Sequence, residues 1–302
     1  MRRLASLRAI LSDICRHDSV LYRRAVLTAV RIGPDFFLRH SPPIFGLLCA
    51  GLLPDARRRV VANLRRVFGR RSRFRESLDM VSVFANFSHC LTEVFVAAVE
   101  RSQPIVRCVQ GEKEIRALDL DKGLIVVTAH VGGWQAAGSV LRSFGDQQVL
   151  VVMQRERDGQ AQALQDATRA SAGMRVHLSE GPLDALVLLS HLRKGGIVAI
   201  QIDRVPEGVR SRKVEFLGEA SHIPEGPLRL ASISGAPVVP AFARRVAFME
   251  YEVTLGTPIF VRSRPSGAEL DEAALMLAHS VEAFVRANPT QWFHFNAPVK
   301  LT

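Results

Sequence analysis

From about residue 104 the chain alternates short β-branched runs with helical stretches, and that alternation leaves few folds open. The runs at 105–109, 124–129, 148–153, 196–202, 236–243 and 251–255 have the length and composition of strands. The intervening 133–143, 159–171, 182–193, 225–234 and 268–287 carry helical patterns. The expectation is an α/β fold, with a mostly buried central sheet flanked by helices. No repeat, low-complexity tract or long linker interrupts it.

The first hundred residues differ in kind. They form a helical basic N-terminal region, broken at Gly33-Pro34, Ser41-Pro42-Pro43 and Pro54. One helix is expected from Asp55, as N-cap, to Phe68, and a longer one from Ser77 to Val99. The chain has a net charge of +11, yet residues 1–75 alone hold 17 arginines, four aspartates and no lysine. All the excess positive charge therefore lies in this region. Phe36-Phe37-Leu38 and the apolar run 44–53 sit between the arginines, which suits a segment lying at an anionic membrane surface. A solvated basic helix face is the plain alternative. Nucleic-acid binders show basic stripes with stacking aromatics, and no such motif is present, so no nucleic-acid partner is expected. The run 44–53 is about half the length needed to cross a bilayer, and no cleavable signal pattern opens the sequence. The expectation is a peripheral or monotopic protein, divided into 1–100 as a membrane-associating region and 101–302 as the α/β domain.

Cysteines 15, 49, 90 and 108 form no C-x2-C pair and no Cys/His cluster with zinc spacing, so neither disulfides nor a metal site is expected. Reduced core thiols fit a cytoplasmic setting. The G-x-S-x-G, G-x-x-x-x-G-K-[ST] and G-x-G-x-x-G motifs are absent, which removes the usual support for serine hydrolases, P-loop NTPases and dinucleotide enzymes.

The stretch most concentrated in chemistry is Ile125-Val126-Val127-Thr128-Ala129-His130-Val131-Gly132-Gly133-Trp134-Gln135. An apolar strand delivers a histidine to a glycine turn, and a helix follows. A histidine held at a strand end, where substrate reaches it, is suited to act as a general base. The bland alternative is a histidine satisfied within the turn. With Gly138, this stretch resembles the His-x4-Asp/Glu motif of the glycerolipid acyltransferase superfamily, and within it the lipid A biosynthesis (lauroyl/myristoyl) branch. His130, Gly132, Trp134 and Gly138 match. Gly133 stands where that branch usually has Asn, and Gln135 stands where it has a carboxylate.

Further elements carry the same resemblance, in order, from about residue 55 to 295. They are Arg59-Val60-Val61-Ala62-Asn63-Leu64; the strand Ile197 to Ile202 ending in Asp203-Arg204; Phe216-Leu217-Gly218; Pro224-Glu225-Gly226-Pro227; Gly235-Ala236-Pro237-Val238-Val239-Pro240; and Gln291-Trp292. Arg155 follows the strand Val151-Val152-Met153, where the family tends to place an arginine.

The resemblance implies an O-acyltransferase that moves a fatty acyl chain from a thioester to a hydroxyl of a membrane lipid. The donor would be acyl carrier protein or coenzyme A, with no resident cofactor. The setting would be the cytoplasmic face of the inner membrane, and the acceptor a lipid A precursor or another glycolipid. His130 would be the base, with Gln135 and Asp203 beside it. Arg155, Arg204, Gly133, Trp134 and Gly226 would serve substrate binding, Arg155 at the oxyanion or a donor phosphate. The amide oxygen of Gln135 can accept the imidazole N–H but supplies no charge; Asp203 or Glu225 can. For Trp292 the expected role is packing. Gln135 also supports a second outcome, a homologue that binds lipid or acyl chains without turnover.

Overall fold

A computed structural model describes residues 20–142, 149–154, 175–179 and 184–295, with isolated positions between 159 and 166. The sequence-predicted helix 159–171 and residue Arg155 lie largely or wholly outside the described residues.

The fold is mixed α/β. Its strands are β1 (Ile105–Gln110), β2 (Leu124–Thr128), β3 (Val149–Met153), β4 (Arg175–Leu178), β5 (Ile197–Gln201), β6 (Ser211–Phe216), β7 (Glu219–Pro224), β8 (Val238–Ala247) and β9 (Glu250–Leu255). Seven of them form one sheet in the order β1-β9-β8-β2-β5-β3-β4, while β6 and β7 make a separate antiparallel hairpin. All neighbours in the large sheet run parallel except the β8–β9 pair. Central β2 lies between β5 and β8, and every one of its residues is buried. Ile125 and Val127 join one core cluster and Leu124 and Val126 another, so the strand is covered on both faces.

The helices are α1 (Val20–Ile32), α2 (Asp35–His40), α3 (Pro42–Leu52), α4 (Pro54–Phe68), α5 (Arg73–Ala98), α6 (Glu112–Arg116), α7 (Trp134–Arg142), α8 (Asp184–Leu192), α9 (Gly226–Ser234) and α10 (Gly267–Ala287). Side chains of α8, α9 and α10 fill the first cluster, and those of α6 and α7 enter the second. The strands β4, β6 and β7 were not expected from the sequence. The start of α4 also differs: Pro54 occupies its first turn, Leu53 is the capping position, and Asp55 lies inside the helix. Helix α5 begins earlier than expected, because the Ser72 side chain accepts the Arg75 N–H at 3.4 Å.

Helices α1 to α5 build two further cores beside the sheet, one shared with Phe293 and the other with Met249. By length and composition α5 is the one described helix able to cross a membrane, but Met80, Val83, Phe84 and Cys90 on it are buried in this helical core. Helix α3 packs closely on it. A Cβ at Gly46 would lie 2.7 Å from the Phe84 backbone, so only glycine permits the contact. The opposite side of α3 presents Ile44, Leu47 and Leu48 to the outside, and Phe36 on α2 is exposed as well.

Candidate active site

Neighbouring parallel strands bring the site together. β2 ends at Thr128 and β5 at Gln201, which are register partners. The Ile202 N–H still donates to the Thr128 carbonyl at 2.9 Å, so the two chains stay together past the sheet edge. His130 and Asp203 follow immediately. This carboxyl edge of parallel strands is where open α/β sheets hold their ligands.

Asp203 Oδ1 accepts from the His130 backbone N–H at 3.1 Å and lies 2.7 Å from His130 Nδ1. Its other oxygen, Oδ2, accepts from the Trp292 indole Nε1 at 3.1 Å. The Asp203 side chain is 1% exposed, whereas that of His130 is 29% exposed. Burial alone would push the Asp203 pKa up, but the His130 imidazole and then Arg204 more than reverse this and hold it below the usual carboxylate range. An ionised carboxylate on Nδ1 fixes the proton there, which makes Nε2 the free acceptor. Such a ring can take a proton from a substrate and stabilise the charge it acquires.

A short C-terminal segment, residues 291–295, forms one wall. The Gly132 N–H donates to the Gln291 carbonyl at 2.9 Å, and the Phe293 N–H donates to the His130 carbonyl at 2.7 Å. Arg204 donates to the Phe293 carbonyl at 2.7 Å. From the helical region, Asn63 donates to the His294 carbonyl at 2.8 Å, and Asn86 to the Thr290 carbonyl at 3.1 Å. Asn63 belongs to the Arg-x3-Asn-Leu element, so that element secures the wall rather than touching His130.

Burial, and after it the nearby Arg204 charge, depress the His294 pKa to about 4 despite the opposing pull of Asp203. His294 is therefore neutral at pH 7. As pH falls, the unfolded chain takes up the proton first, near 6.5, and the folded chain only near 4. Stability is thus lost between those values, by up to about 3 kcal/mol from this residue. His294→Gln should flatten that loss; urea midpoints at pH 7 and pH 4.5 measure it.

The other sequence-predicted residues divide clearly. Gln135 lies in the first turn of α7 and makes no described hydrogen bond to His130; Asp203 occupies Nδ1 instead. Trp134 opens α7 and packs against the second core cluster. Gly133 is buried beneath the Tyr251 ring. Gly226 opens α9, with no atom within 4 Å of where its Cβ would be. Glu225 is tied to Arg212 at 2.9 Å and to Arg229, so it supplies no charge to His130. Among the described residues no three His, Cys, Asp or Glu side chains gather as a metal site. Trp292, expected only to pack, donates to the dyad; a buried indole N–H needs an acceptor, and that requirement was the available signal.

A buried aspartate beside a partly exposed imidazole, at the carboxyl edge of a two-faced α/β sheet, is an arrangement chemically capable of moving a proton. The family model of bacterial lipid A biosynthesis acyltransferases matches residues 16–300, and the chain belongs to that family. A comparison with curated proteins gives no match. The family is one of acyltransferases, and it implies an acyl donor, a lipid acceptor and membrane association.

Proposed function

We propose that this protein transfers a fatty acyl chain from an acyl thioester to a hydroxyl of a membrane glycolipid of the lipid A precursor type, with His130 as general base. Nε2 removes the hydroxyl proton as the oxygen attacks the thioester carbonyl. The carbon–oxygen bond forms, the carbon–sulfur bond breaks, and the imidazolium returns its proton to the departing thiolate. Backbone N–H groups or Arg155 would donate to the oxyanion. The donor is acyl carrier protein or coenzyme A. Both are acidic, and the arginine-rich N-terminal region would attract either.

The carrying observation is the 2.7 Å contact between His130 and buried Asp203. It supports an active enzyme over a homologue that only binds lipid, because the latter drew its support from Gln135. A charge partner is present; it comes from another strand. The exposed apolar side chains Phe36, Ile44, Leu47 and Leu48, with exposed Arg31 and Arg39 close by in sequence, support peripheral or monotopic attachment. We assign it to the cytoplasmic face of the inner membrane, where acyl thioesters are available.

The test is transfer of labelled acyl chains from acyl carrier protein and from coenzyme A into lipid A precursors and other hydroxyl lipids. Wild type should be active with at least one pair, and His130→Ala should abolish transfer while leaving the circular dichroism spectrum unchanged. An active His130→Ala protein would remove the imidazole from the mechanism. An inactive wild type across the panel would favour the lipid-binding alternative.

A further inference from the structure

Gly133 departs from the Asn usual in the resembled motif, and its surroundings account for the departure. A Cβ there would lie 2.0 Å from Tyr251 Cε1 and 2.7 Å from both Cδ1 and Cζ. The aromatic ring rests against the backbone of the turn that follows His130, and it fills the space any side chain would need. Gly132, at φ +42°, is pressed equally hard, since its Cβ would meet the Ala243 carbonyl at 2.0 Å.

The ring is itself fixed. Tyr251 on β9 pairs across the strands with Arg245 on β8. Its hydroxyl donates to Glu93 of α5, and Arg245 Nε donates to the other Glu93 oxygen at 2.6 Å. The Arg245 backbone then exchanges two 2.8 Å bonds with the Gln291 side chain, whose residue receives the Gly132 N–H. The turn is thus held on one side by Gln291 and on the other by Tyr251, while His130 projects from its start.

We infer that Tyr251 is a positioning residue for His130, its ring acting as a stop for the Val131–Gly133 turn, and that Gly133 and Tyr251 are a matched pair. A Cβ at position 133 forces the turn off the ring, and the imidazole moves with it relative to Asp203. Misplacement on the order of 1 Å costs about 100-fold in rate. Only the transfer measurements below rest on the proposed function; the spectroscopic one does not.

The test uses full-length protein labelled with ¹⁵N-histidine. The downfield Nδ1 proton of the His130–Asp203 hydrogen bond is assigned by its loss in His130→Ala. Tyr251→Phe keeps the ring and should keep the resonance. Gly133→Ala should lose or shift it, and Gly133→Ala combined with Tyr251→Leu should restore it. In acyl transfer, Gly133→Ala should reduce kcat about 100-fold with little change in KM, and the double variant should recover about tenfold or more. Should Gly133→Ala fail to fold, Tyr251→Leu alone decides, since a slackened turn should weaken the resonance in a chain of unchanged circular dichroism. Wild-type resonance in Gly133→Ala, or in a folded Tyr251→Leu, overturns the inference. A double variant no better than Gly133→Ala also overturns it. A resonance that follows the pair while wild type transfers no acyl chain upholds the positioning role and counts against the proposed reaction alone.

Discussion

Asp203→Asn is expected to lower acyl transfer by about 10⁴-fold, as the equivalent exchange does in a serine protease triad. The cause is tautomeric as well as electrostatic. Asp203 accepts from His130 Nδ1, from the His130 backbone N–H and from the Trp292 indole. An asparagine there can accept on one atom only, and its amide group, a donor, would face either the indole or the ring. Facing the ring, it moves the imidazole proton to Nε2, where the base must be empty. It also removes the negative charge that stabilises imidazolium. Gln135→Ala, by contrast, should cost less than about tenfold, because Gln135 holds neither ring nitrogen. Steady-state kcat for the two variants separates these expectations. A Gln135→Ala loss as large as that of Asp203→Asn would return the orienting role to the motif position.

Glu93→Ala should destabilise the fold by about 3–5 kcal/mol, the range expected when half of a buried ion pair is deleted. The Glu93 side chain is 1% exposed and that of Arg245 12%. Removal strands the guanidinium and the Tyr251 hydroxyl in an interior that cannot solvate them. Glu93→Gln should cost less. An amide still accepts from the tyrosine hydroxyl and carries no charge for burial to penalise; burial already pushes the Glu93 pKa up against the opposing pull of Arg245 and Tyr251. Urea unfolding followed by circular dichroism gives both values. The network joins α5 to β8 and β9, so its loss should loosen the helical region from the sheet. Equal midpoints for wild type and Glu93→Ala would show that this network contributes nothing to stability.

The inner strands were legible in the sequence because burial on both faces writes them as continuous apolar runs; β2 reads Leu-Ile-Val-Val-Thr. The hairpin β6–β7 was hidden because it lies outside the large sheet and carries Ser211, Arg212, Lys213 and Glu215 along one strand. Edge strand β4 has only four residues and opens on an exposed arginine. The first turn of α5, Arg73-Phe74-Arg75-Glu76, buries no apolar face, so periodicity placed the start four residues late. At the site, the strand–glycine setting made His130 a candidate, and the family-like motif around it singled it out. Asp203 and Glu225 were both candidates to supply charge there, and the sequence could not choose between them, because β3 and β4 intervene between β2 and β5 and only the sheet order makes those two neighbours. A local motif pointed to Gln135; the charge arrives from 73 residues downstream. Tyr251 carried no signal, since its significance depends on which glycine it touches.

The wall built from residues 291–295 has a temporal corollary. His130 is synthesised long before Trp292, Phe293 and His294, yet its loop is stitched to that late stretch, as is Asn63 of α4, while Asn86 of α5 holds the adjoining Thr290. During translation the nascent chain would therefore carry a strand edge without its clasp, and the surroundings of His130 would be complete only once residues 291–295 had been made.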